Sequence, residues 1–277
     1  MLLDYAGECR VKLDRVQPKR PNSCRLSVAA NSLNFFNGSQ RYTPEQVLEH
    51  INQSRLTRGK PLADLDQEAI GDEEVVEFLA NHGQGVIFRE IEGRKYLNWD
   101  LLVELISSNF IVVADHQLLY CDPTKRGPNT FSYIPPELLY RLMNDEQFSY
   151  QTFLDFQDFI IRLYGDIGNG HVDIVVDLKN IEGTDCIVFA NLASYGNEYP
   201  VAIPWNLYCN YLAYDWGNGR GSFMRDISDL PNEEMLEQIK ETGYLERGNM
   251  EYFYGCFEIY FPQERQTELD AILKKYN

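Results

Sequence analysis

The sequence lacks the features that mark membrane and secreted proteins. It contains no apolar run of the ~18 residues or more that a membrane-spanning helix requires. Its first residues, MLLDYAGECR, have no basic segment followed by an apolar core, so we expect no Sec signal either. We therefore expect synthesis and location in the cytoplasm, which is compatible with export by a specialised, non-Sec secretion system.

Basic residues are scarce, with 25 Lys and Arg against 42 Asp and Glu and a formal net charge of -17. Such a charge repels phosphates and argues against nucleic-acid binding. Residues 1–60 are the exception, with ten basic residues against five acidic ones, while the rest of the chain has fifteen against thirty-seven. The acidic surface is explained by solubility, or by a groove that attracts a basic partner.

The six cysteines are spread along the chain with no CxxC pair and no histidine at metal-ligand spacing. This pattern supports neither a zinc site nor a disulfide framework, so we expect reduced thiols, no metal and no cofactor. The cysteines are Cys9, Cys24, Cys121, Cys186, Cys209 and Cys256.

Hydrophobic periodicity predicts mostly helices in the first half of the chain, with a few strands, and a sheet with a terminal helix from about residue 165 onward. Helices are predicted at 24–36, from 44, and at 72–82, 98–108, 135–143, 148–163 and 262–276. Strands are predicted at 85–91, 110–114, 117–121, 171–178, 185–192 and 250–261. We expect 171–178 and 185–192 to form an antiparallel hairpin across the polar residues 179–184. The predicted fold class is α+β, one two-lobed domain over 1–277, with a mainly helical lobe (1–164) and a sheet lobe with a terminal helix (165–277).

Cys24 is predicted to lie in the first turn of a buried helix, after the turn Pro21-Asn22-Ser23. Ser23 is the expected N-cap. Unpaired N–H groups and the positive end of the helix dipole stabilise a thiolate at such a position, which lowers the thiol pKa. The alternative is that Cys24 is a small apolar core residue.

A thiol nucleophile needs a base, and the four histidines are the candidates. His50 and His82 lie near the ends of amphipathic helices and are interpreted as solvated or capping residues. His171 follows a Gly-Asn-Gly loop at the start of a strand, and the returning strand brings Asn191 to the same end, where an amide can orient the ring. His116 is the alternative base, but no hairpin is predicted to return an orienting group to it.

The order Gln17, Cys24 at a helix start, Gly-His171 on a strand and Asn191 after the next strand resembles the papain-like cysteine peptidases. Within them it is most similar to the C39-like branch and to bacterial effector proteases and glutamine deamidases. The resemblance covers about residues 17–36 and 165–215.

The resemblance implies a papain-like fold, in which an N-terminal helical lobe carries the cysteine and a C-terminal antiparallel sheet carries the histidine. It implies that Cys24 attacks an amide carbonyl, that His171 transfers the proton and that Asn191 orients the ring. It assigns the oxyanion to Gln17 and the Cys24 N–H. Gln17 is one residue further from Cys24 than is usual in the family, so Asn22 is the substitute donor.

The predicted function is therefore a thiol hydrolase acting on a peptide bond or on the side-chain amide of glutamine. The expected partner is a protein or peptide substrate, with a basic one favoured by the acidic surface. Two alternatives stay open: a non-catalytic binding or adaptor protein on the same scaffold, and an acyltransferase that transamidates through the same residues.

Overall fold

The computed structural model describes residues 3–4, 7–13, 23–39, 41–65, 70–82, 85–92, 96–117, 170–190, 200–209, 214–215, 253–254 and 256–276. Its helices are α1 (Cys24–Asn37), α2 (Pro44–Thr57), α3 (Asp72–His82), α4 (Trp99–Ser107), the short α5 (Trp205–Leu207) and α6 (Gln266–Lys275), the last preceded by a 3-10 turn (Gln263–Arg265). The predicted helices at 135–143 and 148–163 lie outside these ranges.

The strands form one large sheet and one two-stranded ribbon. They are β1 (Leu3–Asp4), β2 (Val86–Glu92), β3 (Ile111–Gln117), β4 (Gly170–Ile181), β5 (Thr184–Phe189), β6 (Val201–Pro204), β7 (Tyr214–Asp215), β8 (Phe253–Tyr254) and β9 (Cys256–Pro262). The sheet order is β1-β6-β5-β4-β3-β9-β2, and β7 pairs with β8. Every strand pair in the described part of the chain is antiparallel.

Helices cover both faces of the large sheet. The side chains of Glu258 and Tyr260 share one face of β9, where the Tyr260 hydroxyl donates to Glu258 Oε2 (3.0 Å), and Arg25 of α1 forms an ion pair with Glu258. On the opposite face, Arg89 of β2 forms an ion pair with Asp270 of α6. Because both faces are covered, Ile111–Ala114 are all fully buried, as predicted for a strand buried on both sides.

The sheet takes strands from both halves of the chain. β2 and β3 precede residue 164, and β9 lies between them. The α+β class, with N-terminal helices packed on an antiparallel sheet, is confirmed. The division into two lobes at residue 164 stays a prediction.

Local capping explains where the first helices begin and end. α2 begins at Pro44, as predicted, and Thr43 and Gln46 form a reciprocal capping box in front of it. α1 ends at Gly38, whose φ of 64° is the left-handed conformation favoured by glycine. Ser23 is the N-cap residue of α1, as predicted, but its side chain makes no capping bond, because its ψ of 13° is not the extended value typical of an N-cap.

The hairpin of β4 and β5 is confirmed, but its turn is tighter than predicted. Ile181 pairs with Thr184, so the turn is Glu182-Gly183 instead of residues 179–184. Both turn residues have positive φ (50° and 87°), as a type I′ turn requires. The side chain of Asn180 supports the turn, since its Oδ1 accepts from the Gly183 N–H (3.0 Å). A bulge between Val175 and Asp177 adds one residue to β4.

Candidate functional site

Cys24 opens a helix that is enclosed by the rest of the protein. Every residue of α1 from Leu26 to Asn34 is buried, including four polar ones, Ser27, Asn31, Ser32 and Asn34. Ordinary surface helices bury only one stripe. The prediction that the Cys24 helix is buried is therefore confirmed. Cys24 itself is half-buried and packs against the core.

Backbone groups support the first turn of α1. Both the N–H and the hydroxyl of Ser27 donate to the Ser23 carbonyl (3.0 and 3.1 Å). Asn31 Nδ2 donates to the Ser27 carbonyl (2.7 Å). The N–H groups at a helix start have no partner within the helix. A thiolate at Cys24 would therefore lie beside the positive end of the helix dipole.

The residue that follows Cys24, Arg25, forms a buried ion pair. Arg25 and Glu258 are bonded, and their side chains are only 12% and 4% exposed. Since Tyr260 also donates to Glu258, both carboxylate oxygens have a partner. The pair joins the first turn of α1 to β9, across 233 positions of sequence. Sequence analysis missed Glu258, which looks like one more acidic residue in an acidic chain.

His116 and His171, the two candidates for the catalytic base, are paired in register on neighbouring strands. His171 is the second residue of β4 and pairs with His116 of β3. The row of this pair lies three residues along β3 from Val113, the register partner of Glu258. β4 therefore brings the second candidate base beside the first, and the prediction that no hairpin returns an orienting group to His116 stays a prediction. The 54 positions between the two hid this pairing from sequence analysis.

Strand alternation divides these residues between the two faces of the sheet. Val113 and Ile174 are directly opposite each other and belong to the face of Glu258. Successive strand residues alternate between faces, so positions 116 and 171 belong to the other face.

Three predicted site residues, Gln17, Asn22 and Asn191, lie outside the described residues. The nearest described neighbour of Asn191 is Ala190, whose N–H donates to the Ile174 carbonyl (2.8 Å). The two oxyanion assignments and the orienting role of Asn191 therefore stay predictions.

The other two histidines lie in a groove between α2 and α3. The ring centroids of His50 and His82 are 4.2 Å apart, and His82 Nδ1 lies 3.1 Å from the Phe78 carbonyl in the last turn of α3. This contact agrees with the interpretation of His82 as a capping residue at the end of a helix. The ion pairs Arg55–Glu74 and Arg58–Glu77 line this groove.

The described thiols differ in their surroundings. Cys186 is buried on β5, and burial raises its pKa, with a further contribution from the Asp185 charge. Cys24 lies at a helix start instead. None of Cys9, Cys24, Cys186 and Cys209 forms a disulfide. Cys186 is therefore an internal reference against which the reactivity of Cys24 can be measured.

Among the helices of the described ranges, none is long and apolar enough to cross a bilayer. No protein-family model matches the chain, and no curated protein matches its sequence. The interpretation of the site therefore depends on its residues alone.

Proposed function

We propose that the protein is a papain-fold thiol hydrolase that attacks an amide through Cys24. The observation that supports this most is the placement of a half-buried thiol at the start of a fully enclosed helix, packed on the strand whose second residue is a histidine. A helix start favours the thiolate, which is the nucleophilic form.

In the proposed reaction, Cys24 Sγ attacks the carbonyl carbon, and the imidazole of His171 carries the proton to the leaving nitrogen. The nitrogen leaves as an amine or as ammonia, and a thioester remains on Sγ. Water activated by the same imidazole hydrolyses the thioester and restores the thiol. Asn191 orients the ring, and Asn22 or Gln17 joins the Cys24 N–H in binding the oxyanion.

The proposed substrate is a protein or peptide, cleaved at a peptide bond or deamidated at glutamine. A net charge of -17 favours a basic substrate and opposes nucleic acid. We place the protein in the cytoplasm of the producing cell, with export through a specialised secretion system as a further possibility. The reaction as written needs no metal or cofactor.

A non-catalytic binding protein on the same scaffold is the second candidate. It is favoured by strand alternation, which assigns positions 116 and 171 to the face of the sheet opposite Glu258 and Arg25. In that case Cys24 would behave as a small buried side chain, and the acidic surface would bind a basic partner without turnover.

Thiol reactivity separates the two candidates. We expect iodoacetamide to alkylate Cys24 well below the ordinary thiol pKa of about 8.5, and Cys186 only near or above it. The readout is site-resolved mass spectrometry across a pH series, on wild type and on His171→Ala and His116→Ala variants. Loss of the low-pH reactivity in His171→Ala alone would identify the base. Equal pH profiles for Cys24 and Cys186 would contradict the hydrolase.

Turnover is tested on a mixture of basic, glutamine-containing peptides. Cleavage products indicate a peptidase, the mass gain of a deamidated glutamine indicates a deamidase, and amine-dependent products indicate the transamidating alternative. Cys24→Ala should lower the rate of formation of that product by a factor on the order of 10³ or more. Cys186→Ala is the matched control and should retain the activity.

A further inference from the structure

Glu258 is one of three carboxylates that are buried in the described part of the chain, together with Asp173 and Asp177. It is 3% exposed and lies on β9, which pairs with a strand on each side. A carboxylate is rarely buried so completely unless it is paired. Here its two oxygens bind Arg25 and the Tyr260 hydroxyl.

Stability alone is a weak explanation for this ion pair. Replacing a buried ion pair with apolar residues of similar volume often leaves stability unchanged or raises it. The position of the pair is more informative, since Arg25 directly follows Cys24 in the sequence and lies in the first turn of α1. A change in the charge of either partner therefore changes the electrostatic potential at the first turn of α1, where Cys24 lies.

We infer that Glu258 is a positioning residue for Cys24, which fixes the first turn of α1 through Arg25 and balances the charge of the residue that follows the cysteine. The inference rests on the proposed function, because it assigns Glu258 to the nucleophile of that reaction. Its physical content is separate: the ionisation of the Cys24 thiol depends on whether the charges of Arg25 and Glu258 balance.

The two partners should shift the thiol in opposite directions. Glu258→Gln removes one negative charge from the pair, so thiolate formation at Cys24 becomes easier and its pKa falls. In Arg25→Met a buried carboxylate is left near the thiol, and the pKa rises. For a unit charge at roughly 10 Å and an effective dielectric constant of about 20, each shift is roughly 1 pH unit.

The experiment is the pH profile of Cys24 alkylation in the full-length protein. Arg25→Met/Glu258→Gln should return the profile to within about 0.3 unit of wild type, since both charges of the pair are removed together. Tyr260→Phe is the matched control, because it removes a hydroxyl contact and keeps both charges. The pH profile of Tyr260→Phe should shift less than that of Arg25→Met or Glu258→Gln.

Shifts in the same direction for the two single variants, or no shift in either, would overturn the inference. A merely structural role would lower stability in both variants without opposite shifts. The outcome is independent of turnover: if the peptides are not processed but the shifts appear, the proposed function fails and the coupling of Glu258 to Cys24 stands. If turnover occurs without the shifts, the inference alone fails.

Discussion

The start of α1 and the groove between α2 and α3 both contain Arg–Glu ion pairs, but in different surroundings. Arg25 and Glu258 are 12% and 4% exposed, whereas Arg58 and Glu77 are 52% and 30% exposed. Arg55 and Glu74 are intermediate, with a two-pronged contact of 2.6 and 2.8 Å. Burial, and not the number of ion pairs, should therefore decide how much stability is lost when one partner is removed, because the remaining charge is left unpaired in the core at a buried pair and is solvated at an exposed one.

The largest effect is expected for Arg25→Met. It leaves Glu258 charged and buried without its cation, which typically costs about 3 to 5 kcal/mol of the free energy of unfolding. Urea denaturation measures the loss. Arg25→Met/Glu258→Leu should recover most of it, because no buried charge is left; a double variant as unstable as the single one would show that the stability comes from packing instead.

A smaller effect is expected for Arg55→Met in the groove. The substitution removes a two-pronged contact to Glu74 that is partly shielded, and we expect a loss of about 1 to 2 kcal/mol. Arg58→Met is the matched control in the same groove and should cost no more than about 0.5 kcal/mol. Equal losses for the two variants in urea denaturation would remove burial as the explanation.

The smallest effect is expected at Glu104, on the exposed side of α4. Its carboxylate accepts from Lys275 and from the Tyr276 hydroxyl (2.9 Å), and these hydrogen bonds lower the pKa of Glu104 and raise that of Tyr276. A lowered carboxyl pKa stabilises the fold above the unfolded value of about 4.3, and this stabilisation is lost as pH falls through the folded value. A raised phenol pKa stabilises below about 10 and is lost above it.

The difference in unfolding free energy between wild type and Glu104→Gln should therefore be largest between about pH 5 and pH 9 and shrink on both sides. Thermal denaturation across a pH series measures it. A difference that stays constant from pH 3 to pH 7, about the range in which the carboxylate protonates, would contradict the assigned cause.

Sequence analysis predicted best the elements whose ends are set by neighbouring residues. The bounds of α3 agree with the prediction, and α2 begins at the predicted Pro44, after its capping box. The start of α1 at Cys24 was predicted from the preceding turn, although Ser23 does not cap with its side chain. In each case, the residues that end or begin the helix are adjacent in the chain.

Features that depend on distant residues were not predicted. Nothing near Glu258 identifies Arg25 as its partner, and nothing near His116 identifies His171. The bulge in β4 and the short turn at Glu182-Gly183 also alter which residues face each other, and a count from the middle of the polar segment misses both. Sequence patterns place a strand, but they do not determine its register.

The place of β9 between β2 and β3 makes assembly of the sheet a late event. β2 and β3 are made first, yet the strand that joins them is more than 130 residues further along the chain. During translation, the edges of β2 and β3 lack this partner until residues 256–262 have left the ribosome. The ion pair between Arg25 and Glu258 cannot form before then either. The first turn of α1, and with it the cysteine, should acquire its final geometry only in that last step.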